Sequence, residues 1–316
     1  LWFSTFAGVS VRRSHSGIIE SFKTRDGLSG KIVHNVIEDR FHNIWIAADK
    51  GITVLKDGQI SKEKPAIYLP DVPVTCILEE RSANRLFWVA TRGSGLKRLN
   101  VKDNSVISYT TAEGMTTNVL YQVLEDHRGY FWMTGDSGIL RVGKDELNDL
   151  AAGKTGAVNC TSFGTADGMK SIEFDNVLST HSVLKTGDRE LWFITKKGIS
   201  IVSPAKVRIN TLPPPVVIEK VIFDGETIPL NKEAYTCKGV RDFRFRFTAP
   251  TFLSPEKITF KYRLDGFDED WLRLAPGRER AAGFKELKPG SYTFRVTACN
   301  AEGIWNESGD SFTFIL

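Results

Sequence analysis

The sequence predicts an all-β protein in which a partial or small β-propeller, of about four to five four-stranded blades, precedes an immunoglobulin-like β-sandwich. Two observations predict this order: a tryptophan motif that recurs along the N-terminal part, and alternating strand patterns after a proline triplet. A length of 316 residues suits two domains. We expect residues 1–212 to form the propeller and residues 213–316 the sandwich.

The repeat unit is a tryptophan strand, a short polar turn, and a glycine followed by an apolar strand, as in residues 45–54. A second apolar segment, ending in acidic residues and a polar turn, precedes each unit after the first. Four short strands per unit of about 43 residues is the pattern of a propeller blade. The tryptophans are therefore expected to fill the wedges between neighbouring blades, and they are Trp2, Trp45, Trp88, Trp132 and Trp192.

The repeat is incomplete at both ends. No inner strand precedes Trp2, and no clear fourth strand follows Val202 unless residues 207–212 serve as one. An insertion before Trp192 predicts a short helix over residues 144–152. The ring therefore either closes with few blades or is an arc of a larger propeller.

Blade geometry assigns candidate ligand-binding residues to one end of the propeller, because the turns between strands two and three emerge there together with the links between blades. The turn residues are Asp49, Lys50, Arg92, Asp136, Lys196 and Lys197, and the links add Lys31, Asn118 and Asp175. Aligned inner-strand positions are polar where packing alone favours apolar groups, namely His34, Thr75, Tyr121 and His181. A solvated loop surface is the alternative for each of these residues.

After the triplet Pro213–Pro215 the tryptophan repeat stops and the chain alternates. Phe243, Phe245 and Phe247 fall on one face of a strand, with arginines on the other face. Further strands are expected over residues 216–223, 257–264, 280–284, 291–299 and 311–316. About seven strands in about a hundred residues predict the sandwich.

Composition excludes several classes of protein. The 42 basic and 38 acidic residues give a net charge of +4 without long charged runs, which argues against a nucleic-acid partner. The sequence contains no stretch of about 18 consecutive apolar residues, so it predicts no membrane span. Residues 1–5 include no Met, no basic region and no cleavage site, so we expect no signal peptide, and we expect the chain to be part of a longer one.

The four cysteines show no CxxC spacing, so we expect buried thiols and no metal or cofactor. A Cys237–Cys299 disulfide is the alternative. No GxSxG, HExxH, P-loop or GxGxxG motif occurs and the five histidines are scattered, so we expect no enzyme. The polar turns before Trp45 and Trp132 are similar to the aspartate boxes of sialidase propellers, which stabilise turns. A protein-interaction scaffold is the main alternative, and a sugar lyase or hydrolase is a weaker one.

Residues 262–271 (YRLDGFDEDW), 287–296 (LKPGSYTFRV) and 298–305 (ACNAEGIW) resemble the Y_Y_Y, or three-tyrosine, domain. Phe284 stands where that family has another tyrosine. The upstream repeats resemble two-component regulator propeller repeats. By this resemblance we expect structural roles for Tyr262, Tyr292, Trp271 and Trp305. The two tryptophans are expected either in the core or at a domain or dimer contact.

The resemblance implies a sensor input module. Such regions form the periplasmic, extracytoplasmic part of bacterial inner-membrane regulators, often hybrid histidine kinases that respond to glycans or related solutes. The implied partners are a small-molecule or oligosaccharide ligand and a second copy of the receptor in a homodimer. The family places a transmembrane helix directly after the sandwich, so the membrane contact and the kinase, cyclase or DNA-binding output would lie outside this sequence.

Overall fold

The computed structural model describes residues 1–12, 17–60, 67–80, 85–174, 183–207, 210–230, 234–251, 254–274 and 277–316. The chain divides into two compact units, Leu1–Val207 and Arg208–Leu316. This division falls five residues before the boundary expected from the proline triplet. The cause is Asn300, whose side-chain amide donates to the carbonyl oxygens of Asn210 at 2.7 Å and Leu212 at 3.0 Å and so holds these residues on the second unit.

The described part of the first unit contains five antiparallel sheets, which we call blades 1 to 5 in chain order. Blade 1 consists of β1 (Trp2–Thr5), β2 (Gly8–Arg12) and β3 (Ile19–Phe22). Blade 2 consists of β4 (Val33–Glu38), β5 (Ile44–Ala48), β6 (Gly51–Lys56), β7 (Gln59–Ile60) and β8 (Ile67–Tyr68), and β7 and β8 both pair with β6. Blade 3 consists of β9 (Val74–Glu79), β10 (Leu86–Thr91), β11 (Leu96–Asn100) and β12 (Ser105–Tyr109).

Blade 4 consists of β13 (Leu120–Glu125), β14 (Tyr130–Gly135), β15 (Gly138–Gly143) and β16 (Thr161–Phe163), with the helix α1 (Lys144–Ala151) between β15 and β16. Blade 5 consists of β17 (Val183–Lys185), β18 (Leu191–Thr195) and β19 (Gly198–Val202). The predicted strand order, from inner strand through tryptophan strand and glycine strand to outer strand, is confirmed in blades 2 to 4. The predicted helix is also confirmed.

Stacking of neighbouring blades buries the central tryptophans. Trp45, Trp88 and Trp132 are 3%, 0% and 1% exposed. Each indole meets a phenylalanine of the next blade, with ring centroids 4.1 Å apart for Trp45–Phe87, 4.8 Å for Trp88–Phe131 and 6.4 Å for Trp132–Phe193. Trp2 and Trp192 are only half-buried, because each belongs to the first or last sheet of the series.

The same indoles donate their N–H groups to acidic side chains that follow the inner strands. Trp45 Nε1 lies 2.9 Å from Asp39, and Trp132 Nε1 lies 2.8 Å from Asp126. The second oxygen of Asp39 accepts backbone N–H groups from the turn before β5. Burial opposes ionisation of Asp39, but hydrogen bonds from Asn43 and Trp45 outweigh it and hold the pKa of this carboxyl below its usual value. These turns therefore fix the inner strand to the tryptophan strand.

Ion pairs connect blades 2 to 4 at the same end as these turns. Arg40 of blade 2 contacts Glu79 of blade 3 at 2.7 Å. Lys144, directly after β15 of blade 4, lies 3.1 Å from Glu80 and 3.2 Å from Glu125. Burial opposes the charge of Lys144, but the hydrogen bond and charge of Glu80, joined by Glu125, outweigh it and raise its pKa. These contacts oppose sliding of one blade over the next.

The series of blades is open in the described residues. Blade 1 has no strand inside β1, and blade 5 has none outside β19. The chain after β19 forms a 3-10 turn over Pro204–Lys206, and no strand is present in the described part of residues 207–212, so these residues do not serve as the fourth strand. Apolar side chains of these end sheets are exposed, including Ile19 at 65% and Ile199 at 55%.

The second unit is a two-sheet sandwich. Its strands are β20 (Val217–Phe223), β21 (Glu226–Ile228), β22 (Tyr235–Thr236), β23 (Asp242–Thr248), β24 (Thr259–Asp265), β25 (Leu272–Leu274), β26 (Ala281–Lys285), β27 (Ser291–Cys299) and β28 (Asp310–Ile315). One sheet has the order β21-β20-β23-β26 and the other β22-β28-β27-β24-β25. Most pairs are antiparallel, and β22 lies parallel to β28.

Phenylalanines from both sheets form the sandwich core. Phe245 of β23 stacks on Phe294 of β27 with centroids 4.2 Å apart, and both are fully buried. Tyr262 packs partly buried against this core. Tyr292 is buried, and its hydroxyl donates to the Lys288 carbonyl oxygen at 2.7 Å, which fastens the preceding turn to β27.

The structure corrects the expected core position of the two sandwich tryptophans and decides between thiols and a disulfide for Cys237 and Cys299. Trp271 is 38% exposed and Trp305 half-buried, so neither belongs to the core. Instead, the Lys261 ammonium lies 4.5 Å from the Trp305 ring centre and 5.3 Å from that of Trp271, and these cation–π contacts hold the indoles at the surface. Cys237 and Cys299 are free thiols and form no disulfide, and burial raises the pKa of Cys299 to about 11.

Candidate functional site

Three consecutive inner strands contain a β-bulge at the same position, and the bulged residues are among the polar residues that the repeat alignment selects. In β4 the pairing with β5 shifts between Val33 and Asn35, which leaves His34 as the extra residue. The equivalent extra residues are Thr75 in β9 and Tyr121 in β13. A bulge changes the direction of a side chain relative to the regular strand alternation. The sequence showed the polar character of these positions but not the bulges.

The three bulged side chains have different surroundings. The Thr75 hydroxyl is buried and donates to the carbonyl oxygens of Ala90 at 3.0 Å and Leu120 at 2.9 Å. Because Leu120 belongs to the next blade, Thr75 connects two blades and has a structural role. Tyr121 is half-buried against the apolar cluster between blades 4 and 5. His34 is half-buried beside charged residues.

The charges of Arg92 and Asp49 act on His34 in opposite directions. Burial lowers the pKa of His34 first, the positive charge of Arg92 lowers it further, and the negative charge of Asp49 acts in the opposite direction. The net direction is downward, so the imidazole is neutral near pH 7. A neutral imidazole has one donor and one acceptor nitrogen, which together with a guanidinium and a carboxylate can bind hydroxyl groups.

The lowered pKa of His34 predicts a stability change in mild acid. The unfolded state binds more protons than the folded state between the two pKa values, so this contribution is complete above the unfolded value of about 6.5 and decreases as the pH falls below it. The variant His34→Gln should lose less unfolding free energy than the native chain when the pH drops from about 7.5 to about 5.5, measured by urea unfolding. The matched control is the same substitution at His42, whose side chain is 88% exposed. Equal pH dependence of the unfolding free energy in the native chain and in His34→Gln would contradict the lowered pKa of His34.

Backbone hydrogen bonds place the turns between strands two and three beside the links between blades. The backbone N–H of Asp49 donates to Ile32, and its carboxylate accepts from the Ile32 N–H at 3.0 Å. The N–H groups of Gly93 and Gly95 donate to the Asn118 carbonyl oxygen. The turn residues selected from the sequence therefore lie beside link residues in blades 2 and 3.

The remaining candidates do not join the His34 group in one described cluster. Lys50, Asp136 and Lys197 are exposed. Lys196 is exposed and pairs with Glu173 at 3.1 Å. His181 and Asp175 lie outside the described residues. Of the candidates, Asp49 and Arg92 thus act electrostatically on His34, whereas Lys50, Asp136 and the two blade 5 lysines are exposed.

The described part of the chain contains neither a cluster of metal-ligating side chains nor a membrane-spanning helix. No three His, Cys, Asp or Glu side chains there are close enough together to hold a metal ion. No helix within the same residues has the length and apolar character needed to cross a membrane.

Comparison with known proteins gives a family model, a relative and a solved structure to which this chain is similar. Residues 251–316 match the family model of the Y_Y_Y domain. Histidine kinase P4 of Formosa agariphila is 23% identical over 97% of this chain. A solved domain from B. thetaiotaomicron, described as the extracellular domain of a hybrid two-component system, superposes with a TM-score of 0.70 at 19% identity over 99% of this chain.

These similarities confirm the resemblance of the C-terminal residues to the Y_Y_Y domain and the fold expected from the sequence. The chain spans 23% of the length of the histidine kinase and 42% of the solved domain. We therefore propose, and do not assign, the activity of the complete relatives for this chain.

Proposed function

We propose that this chain is the ligand-sensing, extracytoplasmic input module of a membrane-bound two-component regulator of the hybrid histidine kinase type. The ligand is a glycan or a related polyhydroxylated solute, and the chain binds it without transforming it. The observation that carries the proposal is the repeated bulge of the inner strands, which in blade 2 occurs at His34, where the charges of Arg92 and Asp49 act on the imidazole. Similarity to the extracellular domain of a hybrid two-component system and to a histidine kinase supports the class.

The proposed site recognises hydroxyl groups through complementary polar partners. The Arg92 guanidinium donates hydrogen bonds, the Asp49 carboxylate accepts them, and neutral His34 can do both. Tyr121, on the bulge of blade 4, has a half-buried aromatic ring, a group suited to the apolar face of a sugar. The exposed Lys50, which follows Asp49 in the same turn, favours an acidic sugar over a neutral one.

Signal transmission in this proposal depends on association of two copies. The ion pairs and the Thr75 hydrogen bond between blades make large movements of one blade against the next costly. Ligand binding is therefore expected to change how two sensor modules associate in a homodimer of the intact receptor, with the sandwich connecting this change to membrane helices that lie outside the sequence.

A ligand screen with matched variants tests the binding site. An oligosaccharide that binds the native chain should raise its unfolding free energy by about 2.7 kcal/mol at one hundred times the dissociation constant. The variants His34→Ala and Arg92→Ala should weaken its binding roughly tenfold or more. His42→Ala and Lys102→Ala, which change exposed positions outside the proposed site, should bind normally.

Three outcomes would contradict the proposal. Conversion of the oligosaccharide to products would indicate a lyase or hydrolase. Capture of a protein partner without any solute binding would indicate the scaffold function. An association state of the intact receptor that sedimentation shows to be unchanged by ligand would contradict signalling through the dimer.

A further inference from the structure

A cavity of about 390 Å³ lies on the outer strands of blade 3, and we call it the Arg98 cavity. The residues that line it are Leu86, Arg98, Asn100, Lys102, Ser105 and Ile107. Leu86 begins β10, whereas Arg92 follows the opposite end of the same strand. The Arg98 cavity is therefore separate from the proposed solute site at His34.

Strand register places the cavity on the face of blade 3 that carries the wedge tryptophan. Residues directly opposite each other in an antiparallel sheet point to the same face. Arg98 of β11 is opposite Trp88 on one side and Ile107 on the other. Leu86, Asn100 and Ser105 form the adjacent row of the same face. The cavity thus continues from the Trp88 wedge toward the turn between β11 and β12.

Packing of the blades does not require a charged residue at the position of Arg98. The residues opposite the tryptophans of blades 1, 2 and 5 are apolar, namely Val11, Val54 and Ile201. A second arginine, Arg141, stands opposite Trp132 in blade 4. The two arginines therefore need an explanation other than the wedge.

Blade 4 encloses its arginine, and blade 3 does not. Arg141 is 4% exposed, and its guanidinium lies 5.1 Å from the Tyr130 ring centre and 5.5 Å from that of Phe163. The blade 3 residue equivalent to Tyr130 is Leu86, because each stands two positions before its tryptophan. Leu86 has no ring to cover the guanidinium of Arg98, which is half-buried and lines the cavity.

Arg98 has no acidic partner among the described residues. Its Nε is buried and has no hydrogen-bond partner there. The groups that its guanidinium meets are neutral: the Trp88 ring, with its centre 5.8 Å away, and the Tyr109 hydroxyl. Glu80, the carboxylate that binds the Trp88 indole, pairs with Lys144 instead. A partly desolvated guanidinium without a counter-ion is costly, so an anion in the cavity would stabilise it.

The rest of the lining adds positive charge and apolar surface. Lys102 is exposed, and the six lining residues include two bases and no acid. Asp103, at the tip of the turn, is engaged by the side-chain amide of Asn100 and the backbone N–H of Ser105, each at 3.0 Å. Leu86 and Ile107 supply the apolar part of the wall. The chemistry of the wall therefore suits an anion that carries an apolar group.

We propose that the Arg98 cavity binds a small organic carboxylate. The guanidinium of Arg98 pairs with the carboxylate, and a bidentate pair of this kind is among the strong hydrogen-bonded contacts in proteins. The Lys102 ammonium adds attraction at the rim, while Leu86 and Ile107 contact the apolar body of the ligand. A volume of about 390 Å³ lies within the range of small-molecule sites. This second site is independent of the proposed sensing function.

Titration of the 316-residue chain with benzoate, followed by ligand-observed NMR, tests this proposal. Benzoate should bind saturably, and benzamide, which has the same ring without the charge, should bind at least about tenfold more weakly. The variant Arg98→Gln should weaken benzoate binding by roughly tenfold, and Lys102→Gln by about threefold. Lys97→Gln is the matched control, because Lys97 precedes Arg98 in β11 and bonds Ser108 on the opposite face.

A second variant fills the cavity without removing its charge. Leu86→Tyr gives blade 3 the ring that Tyr130 provides in blade 4, so it should cover Arg98 by a cation–π contact. Benzoate binding should fall by roughly tenfold or more, because the ring takes the place of the ligand. Circular dichroism verifies the fold of each variant, and Leu86→Tyr decides the matter if Arg98→Gln does not fold.

Several results would overturn the carboxylate site. These are the absence of saturable benzoate binding, equal binding of benzamide, and benzoate binding that neither Arg98→Gln nor Leu86→Tyr weakens. Inorganic sulfate that binds more tightly than benzoate and displaces it would assign the cavity to inorganic oxyanions and would also overturn the proposal. None of these results depends on oligosaccharide binding at His34, so the two proposals fail separately.

Discussion

Replacing Trp88 by alanine should lower the unfolding free energy of the propeller unit by about 3 to 5 kcal/mol. Trp88 is fully buried and contacts both its own blade and the next one, with its ring 4.8 Å from Phe131 of blade 4. Its indole N–H also donates to the buried Glu80 carboxylate at 2.9 Å. Truncation therefore leaves a cavity between blades and removes one partner of a buried charge. Chemical unfolding followed by tryptophan fluorescence and circular dichroism measures the loss.

The matched control is the same substitution in blade 5, the last blade of the series. Trp192→Ala removes an indole at the equivalent position, but Trp192 is half-buried and borders the open edge of blade 5. Its replacement should cost clearly less than that of Trp88. Equal losses for the two variants would show that interblade wedging is not what the repeated tryptophan contributes.

Gly95→Ala should destabilise the propeller unit by about 2 to 5 kcal/mol, because two costs add. Gly95 has φ at 72°, in the left-handed region that disfavours other residues. In addition, the new methyl group would overlap the carbonyl oxygen of Tyr109, so β11 and β12 must separate. Thermal and urea unfolding should both report the loss.

Gly198→Ala separates these two costs. Gly198 also has a positive φ, at 125°, but no described atom lies within 4 Å of its Cβ position. It should therefore show only the conformational cost, about 1 to 2 kcal/mol. A loss at Gly198 as large as that at Gly95 would mean that close approach of the outer strand is unimportant for this glycine.

The sequence predicted the blades because stacked sheets need a large ring at one fixed strand position. That requirement leaves a periodic signal, and the strands that carry Trp45, Trp88 and Trp132 occupy the predicted place in their sheets. The alternation of Phe243, Phe245 and Phe247 likewise predicted the inner face of β23, and all three are buried.

The bulges could not be predicted in the same way, because a one-residue shift in pairing depends on the partner strand and leaves no periodic pattern. Alignment of the repeats selected His34 and Tyr121 only as polar exceptions. The core role considered for Trp271 failed for another reason: an indole next to Lys261 and Arg263 is stabilised at the surface by cation–π contacts. Such contacts across strands are visible only once the register is known.

The most direct test of the proposed sensor site is amide hydrogen exchange with and without a bound solute. Our account predicts increased protection of residues 32–35, 48–51, 91–93 and 118–121 in the presence of the solute, with little change in the sandwich strands. Protection confined to the sandwich, or to the turns around His42 and Lys102, would contradict a solute site at the bulged end of the propeller.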